Sequence, residues 1–102
     1  MPILDAIREQ HREMTAWRRD LHAHPQTAFE ETYASDFIAA RLAAWGIQVH
    51  RGLARTGVVG TLQGSRGGRG TLSCLGLRAD IDALDITEQN DFAHKSQNPG
   101  KM

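Results

Sequence analysis

Apolar side chains recur near the start of the chain as Ile3, Leu4, Ile7, Met14, Trp17 and Leu21. Steps of three, four and seven lay them along one stripe, which predicts a helix running from Ile3 towards His24. Pro2 suits a first helical turn, where its missing N–H is no loss. Pro25 disfavours helical backbone at the residue before it and so ends the element. His11 falls within the stripe, while Arg8, Glu9, Arg12, Glu13, Arg18, Arg19 and Asp20 occupy mostly the other faces and read as a solvated surface.

A second helix is predicted after Pro25. Thr27 followed by Glu30 has the spacing of a capping box, and Ala34, Phe37, Ile38, Leu42 and Trp45 supply an apolar face. Gly46 is the expected left-handed stop. Ile47 to Arg51 alternates apolar and polar side chains as a half-buried strand does, and Gly57 to Leu62 reads as another strand, punctuated by Gly60. Leu72, Cys74, Leu75 and Leu77 make a nearly continuous apolar run, the pattern of a strand buried on both faces of a sheet. Beyond Asp85 periodicity is lost, and Thr87 to Asp91 and Lys95 to Gly100 are turn formers around Phe92. The predicted fold class is α/β, with two N-terminal helices packed on the first strands of a mixed sheet.

Composition narrows the function classes. A chain of 102 residues holds one domain at most, and 12 Lys plus Arg against 12 Asp plus Glu leave no net charge, so no global field draws it to nucleic acid or to an acidic membrane. The start of the chain lacks a basic region followed by an apolar core, and no apolar run is long enough to span a bilayer. A soluble, cytoplasmic protein without nucleic-acid or membrane partners is expected. The single cysteine, Cys74, has no partner for an intramolecular disulfide, which fits a reducing compartment, and its place in the apolar run reads as a small buried hydrophobe. Gly64 to Gly70 could suggest a phosphate cradle or an arginine-glycine segment. A phosphate loop, however, needs a Lys followed by Ser or Thr opening a helix. Here the glycines lead into a strand, so a flexible connection between antiparallel strands is expected.

The chemistry concentrates at Asp80 and Asp82, where the Leu72–Leu77 run leaves the sheet. Ligands collect outside the carboxyl ends of strands in open α/β sheets, and residues two apart on extended backbone point to one side. The spacing fits two carboxylates facing one site, but taken alone it fits a pair of solvated loop acids or turn formers better. Five histidines raise the question of a metal. His22 and His24, two apart on or near a helix, diverge, whereas an i, i+4 pair converges. His11 reads as a partly buried helix residue, and His50 and His94 as exposed. No metal ligand is assigned to this chain, and no Ser-His-Asp or Cys-His arrangement is legible.

Four blocks carry a resemblance: Trp17-Arg18-Arg19-Asp20-Leu21-His22-Ala23-His24-Pro25, Phe29-Glu30-Glu31, Gly76-Leu77-Arg78-Ala79-Asp80-Ile81-Asp82-Ala83-Leu84, and Asn98-Pro99-Gly100-Lys101-Met102. In this order and spacing the chain resembles the opening of the metal-dependent amidohydrolases related to dinuclear zinc carboxypeptidases. Hippurate hydrolases, N-acyl-amino-acid deacylases and auxin-conjugate hydrolases belong to that group, and the pattern is most similar to the hippurate hydrolase branch. The resemblance implies hydrolysis of the amide bond of a small N-acyl amino acid, with two divalent cations (zinc, manganese or cobalt) acidifying a water and a glutamate moving its proton. Asp80 and Asp82 fall on the His-x-Asp positions of the wider superfamily. The implied role of Asp82 is to orient a metal-binding imidazole, while Asp80 stands where the histidine would be. Asp85 replaces a usual proline, and Gln26 a common glutamate.

In that family, Gly-Lys-Met is followed by His-Ala-Cys-Gly-His-Asp, which brings metal-binding cysteine and histidine. Residues 1–102 are therefore expected to be the N-terminal part of the catalytic domain, without the lid domain through which full-length members often form homodimers. The chain would lack a complete metal site and be inactive alone. The alternative is a non-catalytic remnant or binding module that associates through an exposed sheet edge.

Overall fold

The structure, a computed structural model, describes residues 2–65 and 74–102. Helices α1 (Asp5–Glu9), α2 (His11–Ala23) and α3 (Thr32–Ala44) precede strands β1 (Gln48–Leu53) and β2 (Gly57–Thr61). The α/β composition expected from the periodicity is present. The predicted first helix is divided at Gln10 (φ −83°, ψ −3°), whose N–H bonds to the Ile7 carbonyl at 3.2 Å. Ile3, Leu4 and Ile7 are half exposed or more, so no packing holds the first turns in line with α2. His11 is exposed as well, not partly buried.

The Thr27–Glu30 pair does not cap α3. Glu30 N–H bonds to the Thr27 carbonyl at 3.0 Å, closing a turn, and the helix begins only at Thr32. Its orphan donor at Tyr33 is met from outside, by the Gln26 side-chain carbonyl at 2.7 Å. The other end follows the sequence. Gly46 takes φ 72°, and the Gly46 and Ile47 N–H groups bond back to Ala43 and Leu42, both at 3.0 Å, in a Schellman arrangement.

β1 and β2 form an antiparallel hairpin running from Gln48↔Thr61 to Leu53↔Gly57, with a bulge between Arg51 and Leu53 where Gly52 takes φ 92°. α3 packs across both strands, burying Ser35 and Ala39. Among the described elements, α3 is the helix that packs broadly on the strands, and α2 makes no comparable contact with them. It lies against α3 through Trp17 on Trp45 (ring centroids 5.8 Å apart) and through the Tyr33 hydroxyl, which donates to the Asp20 carboxylate at 2.8 Å. Arg41 spans this contact, its guanidinium over the rings of Phe37 and Trp17.

The expected third strand is not formed where it is described. Residues 74–80 have no strand assignment, Leu75 and Leu77 are 83% and 91% exposed, and Cys74 is exposed where a buried hydrophobe was expected. A strand buried on both faces needs neighbours at its edges and cover on each side. Among the described residues the only paired strands are β1 and β2, which pair with each other. Leu72 and most of the Gly64–Gly70 connection lie outside the described residues.

The hairpin tolerates side chains unequally at its glycines. A Cβ at Gly57 would sit 2.5 Å from the Leu53 carbonyl oxygen, a backbone atom, whereas one at Gly60 would meet the movable ends of Ile47 and Leu42 at 3.1 Å. G57A is expected to lower the unfolding free energy by about 1–3 kcal/mol and G60A by less, measured by urea denaturation. Equal losses would contradict this geometry.

Candidate active site

Asp80 and Asp82 lie in the segment that follows the exposed apolar run, and both line the same open clefts. One, of about 270 Å³, is bounded by Leu21, His24, Pro25, Gln26 and Met102. The other, of about 620 Å³, is bounded by Phe29, Leu53, Val58 and Arg78. Both acids are exposed, and among the described residues Asp80 makes its ionic contact with the Arg78 guanidinium, at 3.5 Å. The segment is held in place by its backbone. Ala83 N–H bonds to the Gln26 carbonyl at 2.8 Å, and Leu84 and Met102 exchange both N–H···O bonds, at 2.9 and 3.0 Å, as a paired antiparallel couple does. Residues 96–102 thus run beside the acids and end next to them in space.

A row of hydrogen bonds stitches residues 96–102 to the α2–α3 connection. Gln97 N–H bonds to the Ala23 carbonyl (2.9 Å), the Asn98 amide to the Pro25 carbonyl (2.7 Å), and Lys101 Nζ to the Thr27 hydroxyl (3.0 Å). The stitching starts at Glu88. Its side chain is 5% exposed, and its two oxygens accept from His22 Nε2 and from the Ser96 backbone N–H, each at 2.5 Å. A carboxylate only accepts, so Nε2 of His22 carries the proton in this bond. The hydrogen bond from His22 holds the Glu88 carboxyl below its ordinary value of 4.5, burial opposes it, and the Ser96 N–H adds to the lowering.

Around this pair lies an aromatic cluster. His94 stacks on Phe92 (centroids 3.9 Å apart) and meets His22 edge-on at 6.0 Å. Burial, then the charges of Arg19 and Arg18, push the His94 imidazole below its ordinary value. His24, by contrast, donates Nδ1 to the Asp20 carbonyl at 2.8 Å and stacks on Tyr33. His22 and His24 are therefore engaged in structural bonds, and His94 is partly buried where the sequence suggested exposure.

Sequence reasoning singled out Asp80 and Asp82 but passed over Glu88, which it read as a turn former. Nothing local marks a residue whose partner lies 66 positions away. Among the described residues, no group of three or more His, Cys, Asp and Glu side chains could hold a metal ion. Two carboxylates at a cleft fall short of the donor set of a dinuclear centre, so this chain's described residues do not build one by themselves.

The fold has a close counterpart. Over 93% of this chain it superposes, with a TM-score of 0.82 and 32% identity, on 26% of the YXEP protein of Bacillus subtilis, a dinuclear metal-binding peptidase of the M20 family. In sequence the chain is similar to an amidohydrolase and to carboxypeptidases. It is 41% identical over 93 residues to an N-acyl-L-amino acid amidohydrolase of Geobacillus stearothermophilus, covering 88% of this chain and 23% of that protein. It is 33% identical over 107 residues to thermostable carboxypeptidase 1 of Saccharolobus solfataricus, covering 100% of this chain and 26% of that one. An IAA-amino acid hydrolase ILR1-like 5 of Arabidopsis thaliana is 37% identical over 89 residues, covering 87% of this chain and 19% of the plant protein. No family model matches the chain. It spans about a quarter of the length of the amidohydrolase, the carboxypeptidase and the peptidase.

The depressed Glu88 carboxyl predicts an acid dependence. Its bonds to His22 and Ser96 contribute stability above the unfolded-state value near 4.5, and that contribution is lost as pH falls through the lower folded-state value. Urea midpoints of the parent chain and E88Q should differ most near neutral pH and converge as the solution is acidified below 4.5. A gap independent of pH would show that the charge of Glu88 is not what holds residues 96–102.

Proposed function

We propose that residues 1–102 act as the N-terminal part of the catalytic domain of a metal-dependent amidohydrolase that cleaves the amide bond of hippurate-like N-acyl amino acids. Divalent cations (zinc, manganese or cobalt) would supply an acidified water in the complete enzyme, which would work as a cytoplasmic homodimer. The observation that carries the reading is the convergence of Asp80, Asp82 and Met102 on one cleft, in a fold similar to a dinuclear metal-binding peptidase. Asp82 would accept a hydrogen bond from a metal-binding imidazole of the complete enzyme and orient it, and Asp80 would border the same space. The names of the amidohydrolase and IAA-amino acid hydrolase relatives support an acyl amide of an amino acid as the substrate class.

The donor shortfall carries a corollary: the chain alone is inactive. Incubated with zinc, manganese or cobalt and N-benzoylglycine, it should release no glycine. Fused in frame to the remaining three quarters of the Geobacillus relative, it should hydrolyse N-acyl amino acids, and D82N in the fusion should lower kcat about 10- to 100-fold. A folded, metal-loaded fusion without activity, or one indifferent to D82N, would sink the proposal.

A second reading is favoured by the exposure of Leu75 and Leu77 and by a hairpin whose strands, among the described residues, pair only with each other. Such a surface suits a non-catalytic piece that binds a partner by strand addition. Sedimentation of the purified chain distinguishes the two, since a discrete complex that persists on dilution supports binding as the primary role.

A further inference from the structure

Two loops beside the acid pair carry backbone strain that burial does not offset. Phe29 (φ 68°), Ala54 (φ 47°) and Arg55 (φ 74°) are the non-glycine residues at positive φ among those described. Side chains with a Cβ enter this region at a cost, and such residues cluster where function demands it. Phe29 and Ala54 both border the 620 Å³ cleft that Asp80 and Asp82 line. The loops that carry them are joined by the Thr56 hydroxyl, which donates at 2.6 Å to Glu31, a carboxylate that is 5% exposed. This clasp holds the strained conformations, yet Phe29 remains 58% and Leu53 55% exposed. The ring is presented to the cleft rather than packed away.

We propose that Phe29 and Leu53 form the subsite for an aromatic acyl group of an N-acyl amino acid. The proposal rests on the amidohydrolase reading for its substrate class and adds where the acyl end binds. The cleft has the volume of a small-molecule site, with Phe29, Leu53, Val58 and Ile38 as apolar side chains on its walls beside a charged group of residues. Charge sets the direction. Three carboxylates (Glu31, Asp80 and Asp82) and one guanidinium, Arg78, whose side chain is 84% exposed, line the cleft. A substrate carboxylate is repelled from the interior and tolerated only beside Arg78, so the uncharged acyl end is the one that enters between Phe29 and Leu53.

The probe is benzamide, which carries an aryl acyl group and the amide but no carboxylate, titrated into the chain and followed by amide NMR shifts. Saturable shifts at Phe29, Leu53 and Val58 are expected, with acetamide leaving these signals unchanged. F29G should weaken benzamide binding at least about tenfold while Tm is unchanged or higher, because glycine adopts this φ without strain. A lower Tm for F29G would make the ring a packing residue and overturn the proposal, as would benzamide shifts that are absent or confined to the cleft around His24. Failure of benzamide to bind leaves hydrolysis by the fusion standing. Benzamide binding with an inactive fusion removes the amidohydrolase reading and leaves an aryl site.

Discussion

A carboxylate taken out of water must find donors, and Glu88 finds two that lie far apart in sequence. One is the imidazole of His22 in the last turn of α2, and the other is the backbone of Ser96. Satisfying that one group joins the first helical segment to the end of the chain. The bonds of Gln97, Asn98 and Lys101 to the α2–α3 connection then follow along the same line. The pairing of Met102 with Leu84 and the bond from Ala83 to Gln26 hold the acid-bearing segment on both sides. Asp80 and Asp82 owe their position to this scaffold, since no regular strand supports them.

The four acids that matter divide by burial. Glu31 and Glu88, each 5% exposed by residue or side chain, are bonded to Thr56 and to His22 with Ser96, and both are held below the ordinary carboxylate value by those bonds. They act as clasps, one joining the strained loops and the other fixing residues 96–102. Asp80 and Asp82 are exposed and bordered by cleft, with Arg78 as the close cation beside Asp80 among the described residues. Carboxylates already satisfied by buried donors serve structure, while those left open to a cleft are available for chemistry.

The similarity to the M20 enzymes gives the exposed surfaces a context. The chain matches about a quarter of those proteins and reproduces the local fold of one of them closely. Leu75 and Leu77, exposed here, occupy the run that sequence alone reads as a strand covered on both faces. A nearly continuous apolar run of that kind is fitted to a larger sheet than one hairpin provides.

By itself the sequence determined the elements whose causes are local. Pro25 ended α2, Gly46 closed α3 through a left-handed residue, the alternation around Val49 marked β1, and the four ordered blocks pointed to the M20 relationship. Tertiary structure decided the rest, because its causes join distant residues. Thr27 and Glu30 have cap spacing, but Gln26 reaches Tyr33 first. Glu88 looks like a turn residue until His22 approaches it across 66 positions. The Leu75–Leu77 run predicts a buried strand, but burial depends on neighbours that one hairpin does not supply. Short-range patterns specify backbone conformation; which polar groups meet, and which apolar faces are covered, is settled only when the chain closes on itself.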